Sequence, residues 1–253
     1  MQAVILAGGA GTRLYPLTLD TPKAMIDIQG KPFLLHIVEE LEKYGIKDLV
    51  FCIGYLADQF KDFFGNGARF GVKISYSIEK EFMGTAGALK MAQRYLKNNF
   101  FVINGDTYLP INYSGAYEAF KASGKAGLMV LYDNNIKIAK PNIAINENGM
   151  VTAYVKREKL KIGNKEVTLK KPSTKGCRFI DAGVQIFEKR ILKDIPRGRF
   201  AALETEVFPR LIKQKELAAH VVSQRYYDIG TPQRLKLIRE KMSCSNGSKI
   251  ISR

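Results

Sequence analysis

Gln2-Ala3-Val4-Ile5-Leu6-Ala7-Gly8-Gly9-Ala10-Gly11-Thr12-Arg13-Leu14 lies almost at the start of the chain, a short β-rich apolar run that breaks into glycines. Glycines directly after a strand let backbone N–H groups approach a polyanion with no Cβ in the way. Leu6, Ala7, Gly8, Gly9, Gly11 and Thr12 are therefore candidate phosphate-binding positions, although a plain tight turn has the same composition. Spacing removes two familiar alternatives. Gly9-Ala10-Gly11-Thr12-Arg13-Leu14 ends in Leu where a dinucleotide fingerprint needs Gly, and no GxxxxGK[ST] occurs anywhere. Arg13 on the loop and Lys23 beyond it add a rigid guanidinium fork and a mobile point charge, which raises the case for phosphate.

Outward from this loop, apolar runs alternate with helical patterns. Ala3 to Leu6 is followed by helical spacing over Phe33 to Tyr44, then Leu49 to Ile53, Leu56 to Phe64, Val72 to Ser77, a helix over Thr85 to Leu96, and Phe100 to Asn104. Such a rhythm predicts an α/β fold, a parallel sheet with helices on both faces and ligands at the carboxyl ends of the strands. From Leu128 to Val155 short strands separated by Asn and Gly predict an antiparallel hairpin region, with Asn146-Glu147-Asn148-Gly149 as its turn. Phe179 to Phe187 reads as the last strand, Leu203 to Gln214 and Pro232 to Lys241 as helices, and Cys244 to Arg253 as a polar, frayed end.

Composition bounds the rest. The 253 residues are 46% hydrophobic and 25% charged, as in ordinary globular proteins, and no apolar run approaches the ~18 residues of a membrane span. The start has no basic segment ahead of its apolar run, so it does not read as a signal peptide. Three cysteines without CxxC spacing speak for a reducing compartment, with cytoplasm as the expectation, and against a zinc site or disulfide framework. The net charge of +16 suits nucleic acid, anionic membrane or a small polyanion alike. Eight of the twenty residues from Lys156 to Lys175 are basic, yet they carry no nucleic-acid module motif and read as solvated surface. Neither a specific nucleic acid nor a membrane is expected as partner, and homo-oligomerisation stays open.

Asp106 ends the run Phe100-Phe101-Val102-Ile103-Asn104, which places a carboxylate at the carboxyl edge of a central strand. Gly-Asp is also a common surface turn. Asp228, between Tyr227 and Ile229, is open to a second reading as a helix cap ahead of Thr231-Pro232. His36 and His220 have no partner spacing and are expected to be structural.

Gly8 to Lys23 matches GGxGTRLxPLTxxxPK and resembles the signature of the sugar nucleotidyltransferase family. The resemblance continues in order through Gly84-Thr85-Ala86-Gly87-Ala88, Asn104-Gly105-Asp106, Asp181-Ala182-Gly183 and Tyr227-Asp228-Ile229-Gly230. It implies a Rossmann-like, mostly parallel sheet flanked by helices with an inserted antiparallel sugar-binding part. Residues 1–242 would form one domain, with a nucleotide-binding core over about 1–125, a sugar-binding part over about 126–225, and a polar tail at 243–253. The implied reaction joins a nucleoside triphosphate to a sugar 1-phosphate and releases pyrophosphate. Mg²⁺ would be held by Asp106 and Asp228, and Arg13, Lys23 and Asp106 would be catalytic. A phosphate monoester is already anionic at neutral pH, its second pKa being about 6, so no general base is needed.

By the same resemblance Glu79 meets the base and Gly84 and Thr85 the nucleotide. A carboxylate only accepts hydrogen bonds, which suits the adjacent N–H donors of guanine better than uracil or thymine. Lys156 would bind the sugar phosphate, and Asp181, Gly183 and Glu204 the sugar. Three departures stand out: Val155-Lys156-Arg157 where the family usually has Glu-Lys-Pro, Asp181 where Asn is common, and Ala24 where Pro follows the Lys. The pattern is most similar to guanylyltransferases acting on mannose- or heptose-type 1-phosphates, whose products feed cell-surface polysaccharide synthesis. Alternatives are a thymidylyl-, uridylyl- or cytidylyltransferase of the same fold, and a non-catalytic nucleotide-sugar-binding regulatory subunit. Retention of Arg13, Lys23, Asp106 and Asp228 favours an enzyme.

Overall fold

In a computed structural model of the chain, residues 1–155, 159–162, 165–168 and 176–247 are described, with side chains described outside 156–175 and 244–253. The first half alternates as the periodicity predicts. Strand β1 (Gln2–Leu6) leads to helix α1 (Phe33–Lys43), β2 (Asp48–Ile53), α2 (Ala57–Phe64), β3 (Lys73–Ile78), α3 (Gly84–Ala92), β4 (Asn99–Asn104) and α4 (Tyr113–Ser123). These four strands lie parallel in the order β3-β2-β1-β4, so the chain direction across the sheet reverses between β1 and β4. That reversal is the switch point at which open α/β sheets leave a crevice.

Alternation along each strand sorts side chains between two cores. Ala3, Ile5, Phe51, Phe101 and Ile103 face the layer of α1, α2 and α4, whereas Val4, Val50, Cys52, Phe100 and Val102 face α3. The sheet then continues mostly antiparallel. Strands β5 (Gly127–Asp133), β6 (Ile143–Ile145), β7 (Val151–Tyr154), β8 (Phe179–Glu188) and β9 (Leu217–Val222) complete nine, so the antiparallel part is an extension of the parallel sheet. The long β8 joins the two: Val184 to Glu188 pair with β4 on one side, β5 pairs with it on the other through Phe179 to Asp181 and Gln185 to Phe187, and Phe179 also pairs with β6. Its register shifts between Asp181 and Gln185, where Gly183 takes φ +77°. The β6–β7 hairpin turns at Asn146, whose side chain accepts from the backbone N–H of Asn148 and Met150.

Several elements differ from their predicted form. The helix expected over Thr85 to Leu96 is α3 followed by a separate 3-10 turn, Gln93–Tyr95. The helix expected over Leu203 to Gln214 is a π-helical turn, Leu203–Val207, leading into α5 (Phe208–Lys213), with Pro209 in its first turn. Leu217 to Val222 is a further strand, paired parallel to β5, so Phe179 to Phe187 is not the last. Helix α6 (Pro232–Gly247) runs on past Lys241 into the stretch read as frayed. Its start is capped by Thr231, whose Oγ1 accepts from Arg234 N–H. No described helix is long and apolar enough to cross a membrane.

Candidate active site

The glycine loop leaves β1 at the switch point and is tied to both neighbouring strands. Ala7 N–H donates to Cys52 O of β2 at 2.8 Å, and Gly105 N–H, just past β4, donates to Leu6 O at 2.9 Å. A Cβ on Gly105 would stand 2.9 Å from both Leu6 O and Ala7 Cβ, so glycine is required for the two strand ends to approach. Gly9 has open space beside it, leaving its face free for a ligand. A one-turn 3-10 helix, Thr12–Leu14, follows; it buries Leu14 and leaves Arg13 exposed. The cleft formed here is about 460 Å³.

Lys23 returns to the cleft and pairs with Asp106 Oδ2, while Oδ1 accepts from the Thr107 hydroxyl at 3.0 Å. Asp228 arrives by a short antiparallel pairing that sets it opposite Thr107, and Ile229 N–H donates to Asp106 O at 3.1 Å. The two acidic residues are thus neighbours across a two-residue ribbon. The Asp228 carboxylate is itself held: Arg234 Nη1 lies 3.0 and 2.9 Å from its two oxygens, and Gly230 N–H donates to Oδ1. A Cβ on Gly230 would meet Asp228 Oδ1 at 2.8 Å and Arg13 Nη2 at 3.6 Å, which sets the loop-borne guanidinium close to the same carboxylate.

At the other end of the cleft Glu79, 7% exposed, stands at the carboxyl end of β3. Its Oε2 accepts from Met83 N–H, its Oε1 packs against Gly8, and burial pushes its pKa upward against the lowering effect of that hydrogen bond. Gly84, with φ +73°, brings Ala201 O within 2.5 Å of where a Cβ would be. Thr85 Oγ1 donates to Glu204 and accepts from Leu203 N–H. Deeper in, Asp181 accepts from Gly183 N–H and Gln185 Nε2 and from the Tyr154 hydroxyl. Burial first, and the Glu204 charge as well, push Asp181 up to about 6 despite those hydrogen bonds.

Thirteen expected residues line one cleft: Leu6, Ala7, Gly8, Gly9, Gly11, Thr12, Arg13, Lys23, Glu79, Gly84, Thr85, Asp106 and Glu204. Asp228 borders an adjoining hollow with Tyr226 and Arg234. Gly183 packs against Asn104 and Thr107 at the foot of the site. Lys156 lies outside the described residues. His36 behaves as expected, its Nε2 bonded to Ile28 O at 2.9 Å. Sequence reasoning missed Arg234, Tyr154 and Phe82; Arg234 had a legible signal, a cation in the first turn after Thr231-Pro232 that can reach back to Asp228. Among the described residues no group of three or more His, Cys, Asp or Glu side chains converges. Two carboxylates beside an open polyanion cradle nevertheless fit Mg²⁺, which is usually held by one or two carboxylates together with substrate phosphates and water.

A family model described as nucleotidyl transferase matches residues 2–243. Mannose-1-phosphate guanyltransferase beta-A of Xenopus laevis is 33% identical over 242 residues, which is 92% of this chain and 62% of that protein. Mannose-1-phosphate guanyltransferase 2 of Candida glabrata is 30% identical over 243 residues, again 92% of this chain and 62% of its own length. The chain therefore spans less than two thirds of these curated relatives. The crystal structure of HddC from Yersinia pseudotuberculosis complexed with GMP-PN superimposes with a TM-score of 0.75 at 30% identity, covering 95% of this chain and 99% of that one. A putative glucose-1-phosphate thymidylyltransferase from Bacillus anthracis shares the fold, with a TM-score of 0.76 at 22% identity over 95% of this chain and 94% of that one.

Proposed function

Because the chain belongs to the nucleotidyl transferase family, we propose that it transfers a guanylyl group from GTP to a mannose- or heptose-type 1-phosphate. A phosphate oxygen of the sugar 1-phosphate attacks the α-phosphorus of GTP, the bond from that phosphorus to the β-phosphate oxygen breaks, and pyrophosphate leaves. The observation that carries this reading is the convergence of the glycine cradle, Arg13, Lys23 and Asp106 in one cleft at the sheet's switch point. Arg13 neutralises the triphosphate and Lys23 steadies the α-phosphate for in-line attack. Gly8, Gly9 and Gly11 present backbone N–H groups to the phosphates. Buried Glu79 accepts from guanine, and the relatives named for guanylyl transfer, together with the neighbour complexed with GMP-PN, support that choice.

Asp106 and Asp228 would hold Mg²⁺, which supplies charge neutralisation for the triphosphate when bound. Each carboxylate is already matched to a cation, Asp106 to Lys23 and Asp228 to Arg234, so the site is built to pair negative groups with positive charge. Tyr154, Asp181, Gly183 and Glu204 form the sugar end, with 1–125 as the nucleotide-binding core and about 126–225 as the sugar-binding part. The free thiols of Cys52 and Cys177 suit a cytoplasmic setting.

The test is a matrix of GTP, dTTP, UTP, CTP and ATP against several sugar 1-phosphates, scored by pyrophosphate release. GTP with a mannose- or heptose-type 1-phosphate is expected to lead. Turnover led by dTTP or UTP overturns the guanine assignment, and no release with any pair overturns the enzyme.

A further inference from the structure

A different face of α3 from the one lining the cleft borders a second hollow of about 500 Å³, within the range of small-molecule sites. Lys90 and Arg94 reach it from this helix and the turn after it, Lys189 from the end of β8, and Arg197 from the segment leading to the π-helical turn. Among the described residues no acidic one lines it. Lys90 Nζ donates to Leu192 O and Lys189 Nζ to Leu96 O, each at 2.6 Å, and Arg94 Nη2 lies 2.6 Å from the Tyr95 hydroxyl. Neutral oxygens thus fix three of these cations in place, with donors to spare on each. The nearby carboxylates Glu188 and Asp194 are committed to Arg190 and Arg210. Cations at the end of a helix are ordinary company for its carbonyls, but Lys189 and Arg197 come from other elements and still converge here. One further feature is not explained by charge alone: Met83 and Met91 supply an apolar wall.

We propose that this hollow is a second nucleotide site, separate from the cleft, that takes a nucleoside di- or triphosphate. The phosphates lie among Lys90, Arg94, Lys189 and Arg197, and the base rests on the polarizable thioethers of Met83 and Met91. Met83 and Gly87 also contact the Arg199–Ala201 strap beside Gly84, so the hollow and the cleft share a wall.

The test uses the whole protein and calorimetric titration with GDP, comparing wild type with the double variant Arg94→Ala/Arg197→Ala, whose side chains are exposed. Wild type is expected to show two classes of GDP site. The double variant is expected to keep one and weaken the other by about tenfold or more, with an unchanged melting curve. A single class in wild type, or two classes unaltered in the double variant, overturns the proposal. Tripolyphosphate competing at this site as well as GTP overturns its nucleoside part. Arg13→Ala separates this proposal from the reading of the cleft: it is expected to weaken only the class that survives in the double variant, and loss of the same class in both proteins overturns the second site.

Discussion

Lys23 and Asp106 form an ion pair that ties the end of the glycine-loop segment to the end of β4 across the switch point. The Lys23 side chain is only 13% exposed and lines the cleft, so its positive charge is directed there and is matched by that carboxylate. Asp106→Asn removes the charge and keeps the shape. It is expected to leave a folded protein whose metal-dependent pyrophosphate release falls by about a hundredfold or more. Near-normal turnover in excess Mg²⁺ would show that Asp106 has no part in the chemistry.

Glu79 Oε1 packs against Gly8 and Oε2 accepts one hydrogen bond from Met83 N–H, which leaves lone pairs for a base. Glu79→Gln keeps an acceptor for Met83 and gains a donor. On the guanine reading the ratio of kcat/KM for GTP over UTP falls by about ten- to a hundredfold, the worth of a matched pair of base contacts. An unchanged ratio means that Glu79 does not read the base.

Asp181 gives a pH signature. Its pKa is raised from 3.8 to about 6, so between roughly pH 4 and 6 the folded protein binds this proton more tightly than the unfolded chain does. Its contribution therefore favours the fold below that window and is lost as pH rises through it. Asp181→Asn, whose amide oxygen can still accept from Gly183 and Gln185, is expected to melt higher than wild type above pH 6, with the gap closing toward pH 4. Parallel melting curves over this range would contradict the shift.

Gly84 has a positive φ and the Ala201 carbonyl against it. Gly84→Ala is expected to cost about 2 kcal/mol or more, because a left-handed conformation alone costs about 1–2 kcal/mol for a residue with Cβ. Chemical denaturation measures this directly, and a loss under half a kcal/mol would mean that the strap yields freely.

The parallel half of the sheet was legible because its strands are buried apolar runs separated by helices with clear spacing, and the cleft because glycines, Arg13 and Asp106 sit at strand ends. Leu217 to Val222 was harder: Leu-Ala-Ala is as much at home in a helix, and only pairing with β5 decides for a strand. Asp181 was placed by motif, but its Tyr154 partner comes from a hairpin far away in sequence, and no spacing rule joins them. The Asp228–Arg234 pair crosses the start of α6, where the i, i+4 logic of helix surfaces does not yet apply, so its one legible signal was the cation in the helix's first turn.

The register shift in β8 has a consequence for dissecting the molecule. Since this single ten-residue strand is held between β4 on one side and β5 on the other, a fragment ending near residue 125 would strip β4 of its partner on that side. The apolar ribbon Phe100 to Ile103 would become an open edge, the kind that recruits other chains. Attempts to isolate a nucleotide-binding half should therefore yield aggregates, whereas circular permutation at the Asn146–Gly149 turn leaves every strand its neighbours.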